Sequence, residues 1–111
     1  MNNEVILFSS PDELEKSFSN QSILTFLHER EKFCITRVNN DLVAFNAECP
    51  HLGYSLRKAP INLSSEIVCP WHSYRFSLFT GEESQKRCKD LLLHKVYWSD
   101  KGELVVRIKK G

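Results

Sequence analysis

The feature that most constrains this chain is a pair of short cysteine–histidine segments. Cys49-Pro50-His51 is followed, after seventeen intervening residues, by Cys69-Pro70-Trp71-His72. Each segment offers one thiolate and one imidazole. Soft thiolates suit iron–sulfur clusters or zinc, and imidazole suits iron, zinc and copper. The two halves are asymmetric, C-x-H against C-x-x-H. Zinc fingers instead pair two cysteines at one end with two histidines at the other. No helical pattern for reading a nucleic acid follows the second half. A structural zinc site remains the alternative reading of the same four side chains.

Pro50 and Pro70 each restrict the backbone one residue after a cysteine, which stiffens a ligand loop. Gly53 frees the backbone where it has to approach a bound group. Tight loops also present backbone N–H groups to an anionic centre.

The segments Cys49-Pro50-His51-Leu52-Gly53 and Cys69-Pro70-Trp71-His72-Ser73-Tyr74-Arg75-Phe76, with Thr80-Gly81 just after, resemble the Rieske ferredoxins and the Rieske domains of ring-hydroxylating oxygenases. The spacing matches as well as the residues. The resemblance implies one [2Fe–2S] cluster, with Cys49 and Cys69 on one iron and His51 and His72 on the other. Histidine replacing cysteine on one iron raises the potential above that of all-cysteine clusters. It also implies an all-β, antiparallel β-sandwich of Rieske type, with two cluster-binding loops at one tip and a cluster-binding subdomain over about 47–81. The histidine edges would face a redox partner.

The chain departs from the family's pattern at several positions. High-potential members carry an extra cysteine in each ligand loop, joined as a disulfide; Tyr54 and Trp71 stand there. Their serine and tyrosine donors to the cluster sulfur and a ligand cysteine align with Tyr74 and Phe76. Ser73 replaces a common glycine. No proline lies between Gly81 and the last hairpin, where many members have a proline-containing lid.

With 111 residues, the chain has room for one domain, 1–111, and none for a second, catalytic one. No catalytic residue is expected, and the chain is not expected to act as a catalyst alone. The net charge of +1 gives no sign of nucleic-acid or membrane binding. No stretch resembles a signal peptide or approaches the roughly 20 apolar residues of a membrane span. The expectation is a cytoplasmic monomer without disulfides.

Val5–Phe8 reads as a strand. Asp12–Phe18 reads as a short helix with Ser10 as N-cap, Pro11 at its first position and Glu13 completing a capping box. Ser22–His28 reads as a strand. Phe33–Val38 and Leu42–Phe45 form a hairpin about Asn39-Asn40-Asp41. Ile67–Cys69 and Arg75–Phe79 are short strands. Lys95–Trp98 and Leu104–Ile108 form a closing hairpin about Ser99–Gly102. No internal repeat is apparent.

Other reactive residues have plainer readings. Cys34 belongs to a strand and reads as a core thiol. Cys88 lies between Arg87 and Lys89, cations that could lower its pKa and make it reactive, but it reads first as an inert surface or half-buried thiol. His28 and His94 lack ligand spacing. Leu52, Tyr54, Trp71 and Tyr74 suit either an apolar docking rim or ordinary packing of the loops. Arg57, Lys58 and Arg75 suit either steering of an acidic partner or a solvated face.

The resemblance implies a soluble one-electron carrier between a flavin reductase and a terminal oxygenase. Two alternatives stand beside it: a Rieske-like small subunit of a larger reductase, of nitrite reductase type, and a redox-sensing module.

Overall fold

A computed structural model describes residues 3–19 and 21–109. The chain runs β1 (Glu4–Phe8), α1 (Pro11–Phe18), β2 (Ile23–His28), β3 (Glu31–Val38), β4 (Asp41–Asn46), β5 (Glu66–Val68), β6 (Arg75–Ser77), β7 (Leu93–Trp98) and β8 (Leu104–Arg107). The fold is mainly β and antiparallel, with one short helix, as the sequence implies. Six strands form one sheet in the order β1-β8-β7-β4-β3-β2, and β5 and β6 form a separate hairpin.

The helix begins as its sequence dictates. Ser10 is extended, with its side chain accepting the Glu13 N–H, and Pro11 follows at the first position. A serine cap of this kind is worth about 1 kcal/mol. The reciprocal half of the capping box differs from expectation. The Glu13 carboxylate takes the Ser9 hydroxyl.

Strand β3 is buried on both faces. Phe33 and Ile35 join Leu14, Ala44, Leu104 and Val106 in one apolar cluster. Cys34 and Val38 join Phe45, Leu56, Ile67, Phe76 and Leu91 in another. Strands β8 and β3 are not hydrogen-bonded neighbours, so their shared cluster means that the sheet curls until its strands face one another. The second cluster lies across β3 and β4 from the first and includes Cys49 and Cys69. The candidate ligand loops thus rest directly on the core. Cys34 is fully buried, and burial pushes its thiol up to about 11.

The β3–β4 turn has Asn39 and Asn40 at φ 50° and 72°, with Val38 paired to Asp41. Two positive φ values in a two-residue loop suit strand twist, and asparagine tolerates them. The same turn joins β2 to β3 through Glu29 and Arg30, at φ 50° and 70°. That hairpin is not expected from these two residues, which carry no turn preference.

His94, near the start of β7, is buried. Its Nδ1 accepts the Lys109 N–H at 2.9 Å, and its Nε2 lies 2.7 Å from Asn46 Oδ1. The ring is therefore neutral, with the proton on Nε2. Burial, and then the charge of Lys109, lowers its pKa from 6.5 to about 4. The unfolded chain takes up this proton near pH 6.5, the folded chain only near 4. The stability linked to His94 is fully present above the higher value and lost as pH falls to the lower one. At full extent it amounts to about 3 kcal/mol. We expect urea unfolding to show this loss between about pH 7 and about pH 4.5. His94→Gln should remove it; an equal slope in that variant would contradict the assignment.

Candidate metal centre

The two cysteine–histidine loops meet at one end of the fold. The first sits on an isolated bridge between Glu48 and Ser55, and the second on the β5–β6 hairpin. They close alike. Cys49 N–H donates to Tyr54 O at 2.7 Å, and Cys69 N–H donates to Tyr74 O at 2.8 Å. Each loop therefore spans Cys-Pro-x-x-x-Tyr, a six-residue internal repeat too short to stand out in the sequence. Its signal was the recurrence of tyrosine five residues after each cysteine. In the first loop, Gly53 N–H also donates to Cys49 O at 2.7 Å, with Gly53 at φ +71°. Nothing in the protein lies within 4 Å of where its Cβ would be. The turn conformation, rather than a crowded backbone, is what requires glycine.

All four candidate ligands come together. Cys49 and Cys69 are buried, each 1% exposed, and the Cys69 thiol is near enough to help raise the Cys49 pKa. The rings of His51 and His72 lie side by side, 5.5 Å apart. His51 is half-buried and His72 exposed. Burial raises the Cys49 pKa, the backbone N–H of His51 opposing it from 3.4 Å. A buried thiol of this kind ionises when a cation sits beside it.

His51 Nδ1 is buried and has no hydrogen-bond partner. Such an orphan costs about 1–3 kcal/mol unless something occupies its lone pair. Coordination to a metal does so. The four side chains thus fit a metal group. Among the described residues, no three His, Cys, Asp or Glu side chains are grouped as ligands of one ion. A thiol pair beside an imidazole pair matches a two-iron cluster better than the tetrahedral zinc alternative.

His72 and Ser73 both have positive φ, 67° and 56°. The glycine common at the latter position would be at ease there; serine holds it under strain. Tyr54 and Trp71, one from each loop, stack with centroids 5.9 Å apart and planes 5° from parallel. An aromatic contact thus joins the loops at the positions where high-potential relatives place a disulfide. Leu52, Tyr54 and Trp71 are 60%, 45% and 46% exposed and ring the histidines with apolar surface. Tyr74 is half-buried and packs within the site. Arg57, Lys58 and Arg75 do not form one patch. Arg75 lies 3.9 Å from Glu66, while Arg57 and Lys58 line a depression beside β2 with Ile23 and Thr25.

The segment after β6 is pinned by Gly81. At φ +84° it has no room for a Cβ, which would fall 2.2 Å from Leu91 O. Cys88, in this segment, follows the inert reading and not the reactive one. Its thiol is half-buried, and its pKa is raised, not lowered: burial acts first, followed by the negative charges of Cys49 and Glu83, and these outweigh Arg87. An inert thiol is the reading that survives. Sequence inspection also missed the Glu83–Arg87 pair, in which a carboxylate with no exposed side-chain surface meets Arg87 at 2.6 Å.

The family model for the Rieske [2Fe–2S] domain matches residues 10–105. No curated protein sequence matches the chain. Among solved structures, the ferredoxin of carbazole 1,9a-dioxygenase from Nocardioides aromaticivorans IC177 is 20% identical, with a TM-score of 0.75 over 97% of this chain and 100% of that one. A complex of reduced oxygenase and oxidized ferredoxin in carbazole 1,9a-dioxygenase matches at 19% identity and a TM-score of 0.75, over 96% of this chain and 94% of that one. These likenesses show the same fold. The family match spans both ligand loops and most of the chain, and the chain belongs to the Rieske [2Fe–2S] domain family, whose cofactor is one [2Fe–2S] cluster per chain.

Proposed function

We propose that Cys49, His51, Cys69 and His72 hold this cluster, the cysteines on the inner iron and the histidines on the outer one. We further propose that the chain, as one domain, carries single electrons from a flavin reductase to an oxygenase-type acceptor. The observation that carries this reading is the unpartnered, buried His51 Nδ1 beside the His72 ring, with two buried thiols in the same site. When bound, the cluster supplies reversible one-electron chemistry. The chain's residues do the rest. The buried thiols are shut away from water, the imidazole rings form the exposed face of the site, and the apolar rim of Leu52, Tyr54 and Trp71 gives a partner a surface to dry. Relatives with this fold are described as ferredoxins in complex with an oxygenase, which supports the same role here.

The test is a relay. Purified brown protein, reduced by NADH through a flavin-dependent ferredoxin reductase, should give a rhombic EPR signal of histidine-ligated type. Adding an oxidised Rieske oxygenase should then erase it within the mixing time of a stopped-flow experiment. Reduction without any onward transfer would favour the sensing module. A colourless, zinc-loaded protein would overturn the ligand reading altogether.

A further inference from the structure

Behind the second ligand loop stands a pair of charges that the four ligands do not explain. Glu83 is 1% exposed. Its carboxylate accepts the backbone N–H of Arg87 at 2.9 Å and of Gln85 at 3.1 Å, and the Ser84 hydroxyl at 3.1 Å. It also takes both arms of the Arg87 guanidinium, Nε at 3.0 Å and Nη2 at 2.6 Å. The guanidinium holds this carboxyl well below the usual carboxylate range, so Glu83 stays ionised. A two-armed pairing of this kind fixes the plane of the guanidinium as well as its position.

The guanidinium lies over Tyr74, its carbon 3.9 Å from the ring centroid. Tyr74 in turn stacks on His51, the centroids 3.8 Å apart and the planes within 10°. One face of a phenol ring admits one flat group at this spacing. Imidazole and guanidinium therefore occupy opposite faces. The result is a column of Glu83, Arg87, Tyr74 and His51, ending on the imidazole whose Nδ1 is unpartnered.

We infer that Glu83, Arg87 and Tyr74 are positioning residues that set the plane of the His51 ring and, through the two opposed charges, the reduction potential of the centre. The inference rests on His51 being a ligand. An arriving electron adds negative charge. A nearby cation favours the reduced state and a nearby anion opposes it, and both act at short range through a partly buried path. Neutralising the two partners must therefore shift the potential in opposite directions. Tyr74 carries no such charge; its contribution is the flat surface against which the imidazole rests.

The experiment is protein-film voltammetry with EPR on the cluster-loaded protein. Arg87→Gln should lower the midpoint potential and Glu83→Gln should raise it. Arg87→Lys, which keeps the charge, should stay close to wild type in potential. Tyr74→Phe should keep both the potential and the EPR line shape, while Tyr74→Leu should broaden the g-values as the His51 ring loosens. A merely structural loop would move the two charge variants the same way, and that result, or no shift in either, would overturn the inference. If Glu83→Gln does not fold, the comparison of Arg87→Gln with Arg87→Lys decides alone: equal potentials would refute the column. Failure of the ligand reading looks different, because wild-type protein would then lack the histidine-ligated spectrum before any variant is made.

Discussion

Cys49→Ser and Cys69→Ser are each expected to abolish cluster assembly while leaving a folded protein. Thiolate is the ligand an iron–sulfur centre requires, and a serine hydroxyl does not replace it at neutral pH. The scaffold does not depend on the metal in the same way. Each ligand loop is closed by its own main-chain bond to a tyrosine carbonyl. Beneath them lies an apolar cluster that includes Phe45, Leu56, Ile67 and Phe76, all fully buried. A lone hydroxyl in place of a buried thiol costs about 1–3 kcal/mol, a fraction of the stability of a domain this size. The far-ultraviolet circular dichroism should therefore persist while the visible spectrum and the iron content vanish. Cys34→Ala and Cys88→Ala serve as controls and should retain full iron. A visible spectrum that survives either ligand substitution would show the assignment to be wrong.

The second large effect concerns the potential. Rieske centres span roughly −150 to +300 mV. Hydrogen bonds to the sulfurs favour the reduced, more negative cluster, so each one raises the potential. A bond that strengthens by about 1–1.5 kcal/mol on reduction moves a one-electron couple by about 45–65 mV. The two positions that supply such donors in high-potential relatives are otherwise engaged here. Phe76 is fully buried and has no hydroxyl, and the Tyr74 ring lies between His51 and Arg87. A backbone N–H, that of His51, reaches Cys49 Sγ at 3.4 Å. The expected midpoint is at the low end, roughly −150 to −50 mV. That value suits electron delivery from a flavin reductase to an oxygenase and does not suit quinol oxidation. A midpoint near the top of the range in protein-film voltammetry would sink this estimate and the assignment as an oxygenase-linked carrier together.

The parts of the molecule legible in the sequence are those governed by short-range rules. Asn39-Asn40 marks its turn because asparagine accepts positive φ. Ser10-Pro11 marks the helix start because cap and ring act on their immediate neighbours. The four ligand candidates were legible for a different reason: metal chemistry demands particular side chains at particular spacings. What escaped depends on partners distant in sequence or on context. Glu29-Arg30 turns as tightly as Asn39-Asn40, but only the pairing of β2 with β3 forces it to do so. Glu83 and Arg87 stand four apart, a spacing that suggests a solvated helix pair, yet the Glu83 carboxylate is buried and anchors an irregular segment. Cys88 sits between two cations, and its burial reverses their effect.

The β1–β8 pairing has a consequence for how the molecule is made. Strands β2, β3 and β4 form a meander of neighbours, and both ligand loops close within themselves. Strand β1, by contrast, pairs among the described residues with β8 alone, and Arg107 reaches back across 103 positions to Glu4. During synthesis the meander and both loops can form while the chain is still growing from the ribosome, since their contacts are local. The first strand must wait as an open edge until β8 has emerged. The β1–β8 seam therefore closes after the meander and the ligand loops have formed.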